Sequence, residues 1–216
     1  MNVFKLFDSW TLISGHFRIG IAIVFLFLLL SISAWGFSLN SFSDDMTFTP
    51  YGDALIINGE TQPDSLAKFK VALDQYPDTR TIILNIVPGS DDDDVNLKMA
   101  RVIRKKNLST HLTRDSVIES GGIELFMGGV ERTMERGAKV GVHSWSDDDY
   151  GYEAHELPKD HADHKPYIKT YKKLGIPKSF YWFVVNAAPS DGMYFMTEEE
   201  LERFNLLTKP IIEPGQ

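Results

Sequence analysis

A run of 21 residues without a charged side chain, Ile19 to Leu39, constrains this chain more than any other feature. A helix built from these residues has no polar face, which argues against a buried helix of a soluble domain. A helix of this length spans roughly 30 Å, which matches the hydrocarbon core of a bilayer. The sequence therefore predicts a transmembrane helix over residues 19–39.

The charges that flank the apolar run predict its orientation. Lys5 and Arg18 precede it, whereas Asp44 and Asp45 follow it. Because basic residues favour the cytoplasmic side, we expect the N-terminus in the cytoplasm and the bulk of the chain across the membrane. The predicted organisation is a cytoplasmic N-terminus over 1–18, a signal anchor over 19–39, a linker over 40–52 and one domain over 53–216.

A cleaved signal peptide is the alternative to an anchor. Ser31-Ile32-Ser33 are small enough for a cleavage site. The 18-residue leader and the length of the apolar run favour an uncleaved anchor instead.

Composition excludes several classes of function. Residues 40–216 contain 20 basic and 29 acidic side chains, and the whole chain has a net charge of −8. This balance argues against nucleic acid or an anionic membrane surface as a partner of the domain as a whole. The chain has no cysteine, so disulfides and thiolate chemistry are excluded.

Apolar strands alternate with amphipathic helices after residue 53. The predicted strands are Ala54–Gly59, Thr81–Val87, Leu108–Leu112 and Ala138–Trp145, and the predicted helices lie at Pro63–Tyr76, Val95–Lys106, after Ser120, at 163–174 and at 177–187, with a last helix opened by a Thr197–Glu200 capping box. This alternation predicts an α/β fold with a largely parallel sheet.

Three polar groups lie at the ends of successive predicted strands. Ser120 stands before two glycines in "VIESGGIELFMGGVER", at the start of a predicted helix whose amides favour negative charge. His143 ends the strand "AKVGVHSW", and Gly89 and Ser90 form a turn that offers backbone amides. The alternatives are a helix-capping serine, a structural histidine and a plain turn with Asp94 or a neighbour as cap.

The segments "LNIVPGS", "ESGGIELFMGGVER", "GAKVGVHSW" and "FMTEEELERFNLL" together resemble the Clp-protease/crotonase superfamily. The resemblance runs from about Ala54 to Thr208 and is strongest to membrane-anchored Clp-like proteins of the bacterial envelope. It implies repeated ββα/βα units with a largely parallel sheet, a periplasmic domain tethered to the inner membrane, and assembly into a homo-oligomer.

The resemblance also implies a site and a reaction. Its catalytic residues would be Ser120, His143 and Asp191, and its oxyanion hole would be formed by Gly89, Ser90 and Gly121. These groups imply hydrolysis of a peptide or protein through a serine ester, without a cofactor or metal. Asp147 to Asp149 are the alternative acids.

Negative charge near the predicted site supports a different function. Glu119 precedes Ser120, and Asp91 to Asp94 follow the oxyanion turn. A carboxylate near a developing oxyanion raises the barrier to reaction. The alternative is therefore a catalytically inactive binding or scaffolding module with an envelope protein as partner. An acyl-CoA enzyme is the least favoured alternative, because a domain across the membrane has no access to that substrate.

Three segments contain side chains that could bind a metal ion. His155, His161 and His164 have side chains that zinc accepts, and the acidic runs 91–94 and 147–149 offer oxygen ligands for calcium. Neither acidic run has the spacing of an EF-hand. We expect exposed loops at these positions rather than a metal site.

Overall fold

The computed structural model describes residues 45–147 and 151–213. Their strands are β1 Thr47–Tyr51, β2 Ala54–Asn58, β3 Thr81–Leu84, β4 Ile86–Val87, β5 Ser109–Leu112, β6 Val117–Glu119, β7 Arg132–Met134, β8 Lys139–Val142, β9 Ser146–Asp147, β10 Tyr152–Glu153 and β11 Tyr194–Phe195. Their helices are α1 Ser65–Gln75, α2 Asp93–Lys105, α3 Gly122–Met127, α4 His164–Leu174, α5 Lys178–Ala187 and α6 Glu198–Arg203, with a 3₁₀ turn at Ala154–Glu156.

The predicted transmembrane helix lies outside the described residues. Within 45–147 and 151–213, no helix combines the length and the apolar character needed to cross a membrane. The anchor and its orientation therefore stay predictions.

Two sheets carry most of the strands. The first has the order β1-β2-β3-β5-β7 and the second the order β11-β8-β6-β4. Only β1 and β11, each at the edge of its sheet, run antiparallel to their neighbours within these two sheets. The predicted α/β class with largely parallel pairing is confirmed.

From β3 to β8, consecutive strands alternate between the two sheets. In the pairs β3/β4, β5/β6 and β7/β8, the first strand belongs to the five-stranded sheet and the second to the four-stranded sheet. The continuous apolar run 81–87 predicted one strand, but Asn85 divides it into β3 and β4. Its side chain donates to Asn58 Oδ1 at 2.8 Å, and its amide donates to the Ile57 carbonyl at 3.0 Å. These bonds hold the chain at the point where it changes sheets, so the break results from a contact distant in sequence.

Two further strands differ from the sequence-based expectation. Thr47–Tyr51, predicted to be part of the linker, form β1 and pair with β2 through a tight turn at Gly52. Val117–Glu119 were predicted to lie in the segment leading to a helix, but they form β6, and α3 begins only at Gly122. Both strands are short and carry polar residues, which weakens their period-two pattern.

Local signals place the helix ends near the site. Asp92 caps α2, because its carboxylate accepts from the Val95 amide at 2.9 Å. The predicted capping box at Thr197 and Glu200 is confirmed, with both reciprocal hydrogen bonds present at the start of α6. α4 ends at Gly175 in the left-handed conformation that glycine adopts without a steric penalty.

Arg132 connects β7 to the chain that follows α6. Its guanidinium is buried and donates to the carbonyls of Leu206, Gly129 and Asn205 at 2.7, 3.0 and 3.0 Å. Burial lowers the pKa of this guanidinium to about 10, so it remains charged at neutral pH. Three carbonyl acceptors thus compensate a buried cation.

We expect Arg132→Met to lower the free energy of unfolding by about 2 kcal/mol, because the buried Leu206 carbonyl loses its donor and the Gly129 carbonyl keeps only its hydrogen bond from Arg104. Urea unfolding of the full chain in a nonionic detergent measures this change. Arg136→Met is the matched control, since Arg136 is exposed and forms its ion pairs with the surface residues Glu198 and Glu213. An equal loss in both variants would contradict the bridging role of Arg132.

Candidate active site

Ser120 occupies the turn between β6 and α3. Its φ is +48°, a left-handed conformation that costs a serine about 1 kcal/mol. The Ser120 amide donates to the Gly141 carbonyl at 3.0 Å, and its carbonyl accepts from the Ile123 amide at 3.1 Å, so both sides of the turn are fixed. A nucleophile on a strained strand-to-helix turn is a known device for presenting a hydroxyl.

Ser120 does not cap α3, so the alternative of a helix-capping serine is wrong. The residue at the N-cap position of α3 is Gly121, and no side chain caps this helix. The hydroxyl of Ser120 instead borders a small cavity of about 30 Å³, which is enough for a water molecule. Other chemical groups on the wall of this cavity, called here the cleft, decide what the hydroxyl can do.

His143 follows β8 and lines the same cleft as Ser120. The two residues approach each other because β6 and β8 are adjacent parallel strands with Glu119 opposite Gly141. No direct hydrogen bond joins their side chains in the described structure. His143 Nδ1 is buried and has no hydrogen-bond partner among the residues that the structure describes.

The predicted oxyanion turn packs directly against Ser120. A Cβ at Gly89 would lie 3.4 Å from the Ser120 Cβ and 3.8 Å from its Oγ. The Gly89 carbonyl accepts from the Thr61 amide at 3.1 Å, and the Asp91 amide donates to the Thr61 carbonyl at 2.8 Å. In this parallel bridge the amide of Ser90 points away from Thr61.

Asn96, a residue that the sequence-based predictions missed, holds these segments together. Its buried side chain donates to the Gly121 carbonyl at 2.8 Å and accepts from the Thr61 hydroxyl at 2.9 Å. The Ser90 side chain lies against Gly121, where a Cβ would come within 2.7 Å of it. Gly89, Ser90, Ser120 and Gly121 therefore lie close together, while their part in a reaction stays a prediction.

Most of the acidic residues near the oxyanion turn face away from the cleft. Asp91 is exposed, Asp92 caps α2 and Asp94 pairs with Lys98. Asp93 does line the cleft, and it accepts hydrogen bonds from the hydroxyls of Ser90 and Tyr167.

Glu119 is directed toward the neighbouring strand rather than the cleft. Its Cγ lies 3.1 Å from the position of a Cβ on Gly141, and Glu119 is not among the residues that line the cleft. The carboxylate immediately before Ser120 therefore contributes less to the local charge than the sequence suggested.

Glu124 is a second residue that the sequence-based predictions missed. It lies on the cleft wall, is 7% exposed, and accepts a hydrogen bond from the Tyr171 hydroxyl. Burial raises the pKa of this carboxyl to about 7, an effect that the Tyr171 hydrogen bond opposes and the charge of Asp93 reinforces. One glutamate inside the apolar run "GIELFM" was the signal available in the sequence.

Aromatic side chains form the outer wall of the cleft. Trp145 stacks on Tyr167 with ring centroids 5.7 Å apart, and its indole donates to the Tyr181 hydroxyl at 3.1 Å. The Tyr181 hydroxyl lies 2.6 Å from His164 Nδ1. Tyr181 and Val184, both on α5, also line the cleft.

Asp191 does not reach the cleft. It is exposed in the turn between α5 and β11, and it is absent from the cleft lining. Of the alternative acids, Asp147 lies in β9 and is half-buried, while 148 and 149 are outside the described residues. The third member of a catalytic triad thus stays a prediction.

His155, His161 and His164, considered above as possible zinc ligands, have different neighbours and do not form one site. His164 is buried in the aromatic wall, and burial lowers its pKa. His155 lies 3.0 Å from Glu153, and His161 lies 3.4 Å from Asp163. No group of three metal-ligating side chains occurs within the described residues.

Comparison with known proteins gives the fold. No family model matches the chain, and no curated protein matches it. Among solved structures, the 1510-N membrane-bound stomatin-specific protease in complex with a substrate peptide has a TM-score of 0.50 at 16% identity, over 76% of this chain and 74% of that one. This similarity and the strand order show a Clp/crotonase-like α/β fold, and nothing about activity.

Two further solved structures are similar. ClpP1 from Listeria monocytogenes has a TM-score of 0.49 at 12% identity, over 76% of this chain and 92% of that one. An enoyl-CoA hydratase from Thermoplasma volcanium has a TM-score of 0.47 at 15% identity, over 79% and 73% of the two chains.

The contact between Ser90 and Gly121 yields a prediction about stability. We expect Gly121→Ala to lower the free energy of unfolding by about 2 kcal/mol through overpacking. Ser90→Gly removes the two closest atoms, so Gly121→Ala should cost at least about 1 kcal/mol less in that background. A double-mutant cycle in urea measures the coupling. Gly192→Ala is the control, because its nearest neighbour is 3.3 Å away; additive effects of Ser90→Gly and Gly121→Ala would contradict the described packing.

The raised pKa of Glu124 yields a prediction about pH. Between pH 4.5, its ordinary pKa, and pH 7, the folded chain keeps a proton on Glu124 that the unfolded chain has released. The free energy of unfolding therefore falls as pH rises through this window. We expect the free energy of unfolding of the wild type to fall by up to about 3 kcal/mol between pH 5 and pH 8. The Glu124→Gln variant should not show this fall.

Thermal or urea unfolding at both pH values measures this difference, with Glu202→Gln as the exposed control. If wild type and Glu124→Gln lose the same stability between the two pH values, Glu124 is not buried as a neutral acid.

Proposed function

We propose that this chain is a membrane-anchored, Clp-like serine hydrolase that cleaves peptide bonds through Ser120 and His143. The observation that carries the proposal is that Ser120, in a strained left-handed turn, shares one cleft with His143 while Gly89 packs against its side chain. A serine, an imidazole and a glycine turn in this arrangement match the needs of acyl transfer.

The proposed reaction proceeds through a serine ester. Ser120 Oγ attacks the substrate carbonyl carbon and gives its proton to His143. The carbonyl oxygen takes the negative charge beside the amides of Gly89, Ser90 and Gly121. The intermediate collapses, the C–N bond breaks, and the leaving amine takes the proton from His143; water then cleaves the ester by the same steps in reverse.

A third group that orients His143 is part of the proposal. The unpartnered Nδ1 of His143 is the atom that such a carboxylate would accept from. Asp191 remains the candidate by resemblance. If Asp191 orients His143, Asp191→Asn should slow the reaction as much as His143→Ala does. A rate within threefold of wild type would show that Asp191 takes no part in the reaction.

The proposed location is the inner membrane of a bacterium, with residues 19–39 as a single-pass anchor and the described domain in the periplasm. The charge asymmetry around the apolar run supports this orientation. A peptide or protein is the proposed substrate, and assembly into a homo-oligomer is proposed on resemblance alone.

A catalytically inactive binding or scaffolding module of the cell envelope is the second candidate. It is favoured by the acidic side chain of Asp93 on the cleft wall, and by the absence of a direct Ser120–His143 hydrogen bond in the described structure. An ionised carboxylate beside an oxyanion opposes reaction. Such a module would keep the fold and bind another envelope protein.

Fluorophosphonate labelling distinguishes the two candidates. We expect the full chain, purified in a nonionic detergent, to be labelled, because an activated serine attacks the phosphorus atom. Ser120→Ala and His143→Ala should each lower the labelling rate at least about 100-fold. In-gel fluorescence over time measures this rate.

Ser179→Ala and His155→Ala are the matched controls, since both side chains lie outside the cleft. Labelling of wild type that persists in Ser120→Ala would contradict the proposed nucleophile. A folded wild type that is not labelled at all would favour the binding module.

A further inference from the structure

A second concave surface lies on the side of α4 away from the cleft. This groove between α2 and α4 has a volume of about 420 Å³, and it is lined by Asp94, Leu97, Arg101, Ala162, Lys165, Pro166, Lys169, Thr170 and Lys173. It is separate from the cleft, because Tyr167 and Tyr171 point from α4 into the cleft while Lys169 and Lys173 line the groove.

The charge of the α2–α4 groove is opposite to that of the chain. Arg101, Lys165, Lys169 and Lys173 contribute four cations to its wall, whereas the chain as a whole has a net charge of −8. The single carboxylate in the lining, Asp94, is engaged by Lys98. None of the four cations forms an ion pair with a carboxylate that the structure describes. Their charge is therefore available to an anionic ligand.

The cations are arranged in a line. Lys165, Lys169 and Lys173 are four residues apart on one face of α4, so successive ammonium groups start from backbone positions roughly 6 Å apart. Alternate side chains of an extended peptide lie on one face at intervals of roughly 6.6 Å. An extended segment with acidic residues at alternate positions would thus place each carboxylate opposite one lysine.

Arg101 gives the groove a fixed donor. Its Nη1 donates to the hydroxyl of the buried Thr170 at 2.9 Å, which orients the guanidinium across from the lysines. The remaining N–H groups of a guanidinium match a carboxylate in bidentate geometry. Ala162 and Pro166 add exposed apolar side chains to the lining, whereas Leu97 is buried. A concave, basic wall fits an extended peptide chain better than the plane of lipid phosphates at a membrane surface.

We propose that the α2–α4 groove binds an extended acidic segment of a protein, with Asp or Glu at alternate positions. The site does not require Ser120 to be a nucleophile, so it stands whether the chain is a hydrolase or a binding module. A segment held in the groove would lie on the opposite face of α4 from the cleft.

Fluorescence anisotropy tests this proposal with a fluorescein-labelled peptide of four Glu-Ala repeats and the full chain in a nonionic detergent. The chain carries Ser120→Ala so that the probe is not consumed. We expect binding at 50 mM salt that is abolished at 500 mM, because screening shortens the range of these charges. Lys165→Gln, Lys169→Gln and Lys173→Gln together should raise the Kd about tenfold or more.

Lys70→Gln, Lys106→Gln and Lys139→Gln together are the matched control, because they remove the same charge from exposed positions outside the groove. The control triple variant should bind within about twofold of the parent. A peptide of four Gln-Ala repeats should not bind. Equal Kd values for the two triple variants, or no binding of the acidic peptide, would overturn the proposal. Binding of dihexanoyl phosphatidylglycerol but not of the peptide would also overturn it, in favour of a lipid site.

Discussion

The geometry of the cleft depends on one buried amide, that of Asn96 on α2. It accepts from the Thr61 hydroxyl after β2 and donates to the Gly121 carbonyl after β6. Thr61 in turn bonds the backbone on both sides of Ser90. Three chain segments that are distant in sequence are thus fixed by a single side chain, and an unsatisfied amide at this depth would cost about 1–3 kcal/mol.

The fold class followed from the alternation of apolar strands and amphipathic helices, but the division into two sheets did not. Between Ile82 and Val87 only Asn85 is polar, and one asparagine without a glycine or proline beside it does not predict a break. The break is defined by Asn58 and Ile57, which reach Asn85 only after β2 and β3 have paired. Strand β6 was missed for a related reason, since three residues are too few to establish a period.

The site was predictable where it lies at strand ends and unpredictable where it comes from helices. Ser120, His143 and Gly89 meet because parallel strands bring their carboxyl ends to one edge, which sequence order alone indicates. Tyr167 reaches Asp93 across 74 residues of chain, and no pattern relates the two positions. Asp191 was assigned by resemblance, but a resemblance in sequence does not determine which way a turn directs a side chain, and Asp191 is exposed in this turn.

The left-handed conformation of Ser120 has a consequence for how such a chain evolves. Glycine adopts a φ near +48° without penalty, so a change to glycine at this position relieves the strain and removes the hydroxyl in one step. The proposed nucleophile is therefore one substitution away from a more relaxed turn, so its loss would not by itself destabilise the fold.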